Sequence, residues 1–370
     1  MNSPYPGART LAHGLVTAFL AFASIPSMLQ AQHYKQTNLV SNIPGMAATT
    51  DPNLVNAWGI SRGTTSPWWV SDNGTGLATL YTGTGSIVPL VVTIPAADSG
   101  TGTPTGQIFN GTQDFQLTPG NPARFLFVTE DGTVSGWNPA VSPTTAVIKV
   151  NTHSASVFKG MAVATIDDFH GGAANYLYVA DFRKGRINVY DTNFKRISMH
   201  GDDSFRDERV PHGFAPFNIQ NIGGNLYVAW AKQDGTKHDE VAGAGLGYVS
   251  VFSPTGRLLH RLQWSKWLNA PWGMAQAPSD FGNFSHDILV GQFGSGQILV
   301  FDPVTGGFKG TLNDANNAPL TINGLWGISF GSGGTSGSAT ALYFAAGLND
   351  EQDGLVGSIT AIENTFGGDI

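Results

Sequence analysis

The chain reads as an all-β protein, a six-bladed β-propeller, on three observations. The first is a recurring strand opening: Ala57-Trp58-Gly59-Ile60-Ser61, Lys159-Gly160-Met161-Ala162-Val163, Pro216-Phe217-Asn218-Ile219-Gln220, Pro271-Trp272-Gly273-Met274-Ala275 and Leu325-Trp326-Gly327-Ile328-Ser329. The second is their spacing. From Trp58 through Lys159, Phe217, Trp272 and Trp326 the intervals are 101, 58, 55 and 54 residues. The first is about twice the others, which places a degenerate unit near Asp114-Phe115-Gln116-Leu117. Strands and turns repeating at this period build propeller blades. The third is composition: 48 of 370 residues are glycine and only 12% are charged, as tight turns between short buried strands require. No long segment shows helical periodicity with caps.

Each blade then follows in order. Blade one continues from Trp58 into Trp68-Trp69-Val70-Ser71, Leu77-Ala78-Thr79-Leu80-Tyr81 and Leu90-Val91-Val92-Thr93-Ile94. Blade two has Phe125-Leu126-Phe127-Val128-Thr129 and Thr133-Val134-Ser135-Gly136-Trp137 as middle strands. Blades three and four show Tyr176-Leu177-Tyr178-Val179-Ala180 and Leu226-Tyr227-Val228-Ala229-Trp230 as second strands. Blade five shows Asp287-Ile288-Leu289-Val290-Gly291 in that place. These runs are β-branched and aromatic, bounded by Gly, Asp and Pro. Blade six ends at Ser358-Ile359-Thr360-Ala361-Ile362, one strand short. An unpaired edge would leave the ring open. The spare strand at residues 36–41 is therefore expected to complete blade six and close the ring.

Residues 1–31 read as a signal peptide, with Arg9 in the positive region, an apolar run at 14–23 and Ala31 at the cleavage site. Residues 32–370 form one propeller domain, secreted or periplasmic. The sequence contains no cysteine, which excludes disulfides, thiolate nucleophiles and zinc–thiolate sites. A net charge of −7 without a Lys/Arg cluster argues against nucleic acid as partner. No apolar run after residue 32 is long enough to span a bilayer.

Tyr178-Val179-Ala180-Asp181 followed by Gly185-Arg186-Ile187, together with Pro271-Trp272-Gly273-Met274, resembles the NHL-repeat type of propeller. The chain from about residue 36 to 362 is further similar to exported bacterial propellers of uncharacterised function, some of which carry a sorting tag of the exosortase (PEP-CTERM) type. That likeness rests on Asn53-Leu54-Val55-Asn56-Ala57-Trp58-Gly59 and Glu130-Asp131-Gly132-Thr133-Val134-Ser135-Gly136-Trp137. Gly213-Phe214-Ala215-Pro216-Phe217-Asn218-Ile219-Gln220 and Lys237-His238-Asp239-Glu240-Val241-Ala242-Gly243 add to it. The sequence ends Gly367-Gly368-Asp369-Ile370, without the apolar tail of such a tag. The resemblance implies a fold and an exported address, and no particular activity.

The loops joining second to third strands share one face with the starts of the inner strands, so that face is the expected ligand side. Two of these loops are long and charged. Blade four carries Lys232, Asp234, Lys237, His238, Asp239 and Glu240; blade six carries Asp350, Glu351 and Asp353. His238, Asp239, Glu240 and His212 are the candidate catalytic groups, His212 being expected to meet His238 across the mouth. Asp350, Glu351 and Asp353 offer oxygen ligands for a divalent cation such as calcium, although the spacing lacks the features of a helix–loop–helix calcium loop. Solvated loop tips paired with Lys232 and Lys237 are the plainer account of both loops. Trp58, Phe217, Trp272 and Trp326 are expected to ring the channel, either as packing or as a stacking surface for a flat ligand. Lys159 takes the same position in blade three and needs an acid partner, with Glu130 and Asp181 nearest. Asp72 and Asp181 alternatively cap the tight loops that follow them. No nucleophile elbow, paired-histidine motif or phosphate loop is present. Three functions stay open: a module binding carbohydrate, matrix or protein through this face, a metal-assisted hydrolase or lyase using the acidic loops, and a scaffold.

Overall fold

The computed structural model describes residue 1 and residues 32–167, 172–199 and 204–362. The proposed signal peptide falls outside the described residues, apart from Met1. Six antiparallel sheets form six blades, and their inner strands are Ala57–Ser61, Pro104–Phe109, Phe158–Asp167, Phe214–Ile222, Pro271–Gln276 and Leu325–Phe330. In blade one the order outward is Ala57–Ser61, Trp68–Asp72, Leu77–Tyr81 and Ile87–Thr93, and the other blades repeat it. Among the described residues no helix is long and apolar enough to cross a membrane.

Closure occurs at blade six. Tyr34–Ser41 runs antiparallel beside Asp353–Ala361, with Thr37 opposite Ser358 and Ser41 opposite Leu355. Tyr34 is buried, stacks on Phe281 and Phe284 of blade five, and donates its hydroxyl to Phe281 O at 3.0 Å. One N-terminal strand thus seals the seam between the fifth and sixth blades, a task no disulfide can perform in this chain.

The degenerate unit lies elsewhere than the spacing suggested. The inner strand of blade two is Pro104–Phe109, with Thr105 where the other blades have Trp, Phe or Lys. Segment 114–117 instead turns outward: Phe115 adopts φ 58°, is fully buried, and packs edge-on against Phe194 of blade three. The aromatic signal failed because Thr105 is small, while the following Gly106 keeps the repeat.

That small position has a purpose. The inner strands bulge there and approach one another around the axis. A Cβ on Gly160 would lie 2.2 Å from Asn218 Oδ1, and one on Gly327 would lie 2.8 Å from Trp58 O. Such close approach of backbone demands glycine. Blade four has Asn218 instead and turns its amide to the neighbouring strand, donating to Trp272 O at 2.8 Å.

Candidate functional site

The inner strands begin on one face, and their opening side chains plug the channel. Trp58 and Trp326 stack at 3.7 Å with 14° between planes; Phe293 stacks on the same Trp326 at 4.0 Å. Trp272 meets both tryptophans edge-on, and Phe217 meets Trp326 and Phe182. Exposure of Trp58, Phe217, Trp272 and Trp326 runs only from 0 to 5%. The four aromatics therefore present an internal core, and the flat stacking surface expected as one alternative is closed by their own packing.

Above this plug a second ring of positions follows the second strands. By strand register these are Asn73, Glu130, Phe182, Ala231, Phe293 and Gly347. Blades three and five fill them with aromatics; blades one and two fill them with Asn73 and Glu130. The mouth is thereby split into an apolar and a polar half.

Lys159 is fully buried at this level. Its Nζ lies 2.5 Å from Glu130 Oε1, 3.2 Å from Asp239 Oδ1 and 4.9 Å from the centre of the Trp58 ring. Desolvation alone would lower the ammonium, but the charges of Glu130, Glu240 and Asp239 outweigh it and hold Lys159 above its ordinary value. Asp181, the other partner expected, does not reach it. Asp181 accepts from Ser156 Oγ, Asn188 Nδ2 and Lys184 N, and so closes its own loop. Asp72 closes the preceding loop through its main-chain carbonyl, which accepts from Thr75 N and Gly76 N.

Blade four supplies most of the remaining groups through a hairpin. Lys232 and Gln233 pair with Val241 and Glu240, and the turn between them is organised by Asp234, whose Oδ1 accepts from His238 N at 2.9 Å. His238 Nδ1 contacts Asp239 Oδ1 at 2.8 Å. That bond is the main cause raising His238 and, reciprocally, lowering Asp239, which Lys159 lowers further against its desolvation. Glu240 is half-buried and pushed up to about 7, by desolvation first, then by Glu351 and Asp239 against the pull of Lys159. Lys237 sits at φ 58° on the exposed tip, outside the cluster.

Blade six supplies Glu351 through a strained turn. Asn349, Asp350 and Glu351 all have positive φ, at 53°, 52° and 66°. Left-handed backbone costs a residue such as Glu of order 1 kcal/mol and persists where surroundings enforce it. The turn aims Glu351 at Asn56, whose Nδ2 donates to Oε2 at 2.6 Å. Burial raises Glu351, with that hydrogen bond opposing. Asp350 stays exposed, and Asp353 turns outward to Asn42 and Asn349. The three acids proposed for calcium therefore diverge. His212 is exposed and lines a groove with Phe205, Phe214 and Trp230; no contact joins it to His238.

Two asparagines complete the mouth and were not foreseen. Asn56 accepts from Trp326 Nε1 at 3.1 Å and donates to Asn73 Oδ1, while Asn73 donates to Glu130 Oε2 at 2.9 Å. Its signal in the sequence was positional: two residues before the opening aromatic, where blades three to six carry Val157, Ala215, Ala270 and Gly324. Polar contacts now run without a break from Trp326 through Asn56, Asn73, Glu130, Lys159 and Asp239 to His238. Among the described residues, Glu130, His238 and Asp239 form the one set of metal-ligating side chains whose ligand atoms lie within 4.8 Å of one another.

Fold and mouth define a six-bladed β-propeller with a buried cation surrounded by acids at one end of a plugged channel. Uncharacterized protein L690 of Acanthamoeba polyphaga mimivirus is 34% identical over 334 residues, covering 88% of this chain and 85% of its own length. Uncharacterized protein R648 of the same virus is 33% identical over 337 residues, covering 88% and 80%. The chain belongs to the family of these proteins. No family model matches it. Among solved structures, a protein of unknown function from Bacteroides thetaiotaomicron superposes with TM-score 0.55 at 12% identity, covering 90% of this chain and 77% of that one, a likeness of fold.

Proposed function

We propose that this protein is an exported recognition module whose channel mouth binds a polar ligand bearing hydroxyl or amine donors, as carbohydrate, matrix and protein ligands do. One observation carries the reading. Lys159 is buried at the mouth, and acids from three blades (Glu130, Asp239 with Glu240, and Glu351) gather around it. Buried ion clusters add little net stability, since desolvation offsets most of the Coulomb gain. Shifted titrating groups concentrated at a mouth instead mark ligand sites. Four carboxylates against one lysine leave an excess of acceptors, which suits a donor-rich ligand. The leader-like segment 1–31 supports a secreted or periplasmic address, as in the exosortase-associated propellers that the sequence resembles.

The test is binding of the full chain to glycan and matrix-protein arrays, beside a Glu240→Gln/Glu351→Gln double variant. Binding by the wild type that the double variant loses supports the reading. Silence on both arrays, or equal binding by the two proteins, overturns it.

A second reading, a metal-assisted hydrolase or lyase, is favoured by the Glu130–His238–Asp239 set and by Glu240 titrating near neutrality. It ranks second because Lys159 already occupies one oxygen of each of those two acids. Zinc, manganese or calcium must then raise the melting temperature of the wild type and leave a His238→Ala/Asp239→Ala variant unmoved.

A further inference from the structure

The inner strands also end on the opposite face, beyond the aromatic plug, and there they enclose a cavity of about 310 Å³. Its walls come from blades one, two, three, four and six, including Ser61, Arg62, Gln107, Gln220 and Ser329. A narrow extension reaches up past Gly106 and Asn218 to Trp272. None of the acids or the histidine of the upper mouth lines it.

Two groups on this wall are incompletely matched by the protein. Arg62 is half-buried and donates Nε to Phe330 O at 2.6 Å and Nη2 to Gly331 O at 2.9 Å. These are neutral carbonyls, and among the described residues no ion pair offsets its charge. A guanidinium has five N–H donors, so three remain. Gln107 is 6% exposed; its Nε2 donates to Gly59 O and Trp69 O, both at 2.8 Å. Those two carbonyls dictate the amide orientation and leave Oε1 buried with no hydrogen-bond partner. Ser61 Oγ, on the same wall, is likewise buried and unpartnered. Buried polar atoms without partners cost free energy, and an acceptor and a cation facing one small cavity together describe a ligand.

We propose that this lower cavity is a second binding site, taking a small carboxylate that also carries a hydroxyl group. The carboxylate pairs with the free edge of Arg62, for which a planar fork is suited. The hydroxyl donates to Gln107 Oε1 and satisfies it. No carboxylate side chain lines the cavity among the described residues, so an anion meets no repulsion from its walls. The volume admits roughly ten heavy atoms, judged against about 30 Å³ per water in the liquid.

The experiment is calorimetric titration of the full chain with malate and gluconate, with acetate as the probe lacking a hydroxyl. Malate or gluconate should bind, acetate should bind at least ~tenfold more weakly, and Arg62→Gln should weaken the hydroxy acids by ~tenfold or more. No heat from either hydroxy acid at about 10 mM, or equal affinity in Arg62→Gln, overturns the proposal. Should Arg62→Gln fail to fold, Ser329→Asp serves instead: it adds a carboxylate to the wall, at a half-buried position, and must abolish binding. Retained affinity in Ser329→Asp overturns the proposal equally. Loss of array binding at the upper mouth leaves this site untouched, so the two proposals fail separately.

Discussion

The Lys159 ammonium is buried against the Glu130 carboxylate at 2.5 Å, whereas its second acid, Asp239, lies 3.2 Å away and stays 62% exposed. The two acids face the same cation from very different media. Glu130 does most of the neutralising inside the protein, and Asp239 does it at the boundary with water, where screening weakens the attraction.

From that difference comes the first prediction. Glu130→Ala leaves a buried ammonium poorly compensated and should destabilise the fold by about 3 kcal/mol. Asp239→Ala should cost less than about 1 kcal/mol, as exposed pairs do. Urea denaturation of the two variants checks the order. Equal losses would show that the mouth is more open than its geometry states.

A second prediction concerns pH. Glu240 is pushed up to about 7 from an ordinary 4.5 by desolvation. Between those values the folded chain keeps a proton that the unfolded chain has released. Stability from this group is thus full below about pH 4.5, falls as pH rises, and is lost above about 7. His238, raised by Asp239, adds a loss in the same direction above its own unfolded value. Glu240→Gln should therefore flatten the decline and exceed the wild type in melting temperature at alkaline pH. A parallel pH profile in the variant would contradict the burial of this carboxyl.

The aromatic plug gives the third. Trp326 contacts Trp58, Trp272, Phe217 and Phe293 and is fully buried. Trp326→Ala should cost about 3–5 kcal/mol, since neighbours on six rigid inner strands have little freedom to collapse into the space. A loss under about 1 kcal/mol in chemical denaturation would mean that these rings form an adaptable surface rather than a core.

Ring closure supplies the fourth. Deleting residues up to 41 removes a whole strand from blade six and should lower the melting temperature sharply. Tyr34→Phe should cost only about 1 kcal/mol, the net worth of one buried hydrogen bond. Unchanged melting after the deletion would show that the seam holds without its outer strand.

The strand periodicity and the spare strand at 36–41 sufficed to specify the blades and their closure, because burial on alternating faces and unpaired edges are local, sequence-readable demands. The charged loops at 231–247 and 347–357 were equally visible as anomalies in a chain poor in charge. Contact between those loops was a matter for the tertiary structure, since ring closure alone brings blades two, three, four and six to one mouth. It turned Glu351 inward and Asp350 and Asp353 away, through a backbone turn that no spacing rule encodes. It gave Lys159 to Glu130 and left Asp181 to its own loop, because register decides which strand end faces the axis. It buried the tryptophans against each other, and it made Asn56 and Asn73 links in the polar chain. Composition and period name the parts; only the convergence of distant strands on one axis determines which side chains share a low-dielectric space, and with it their charge state and their chemistry.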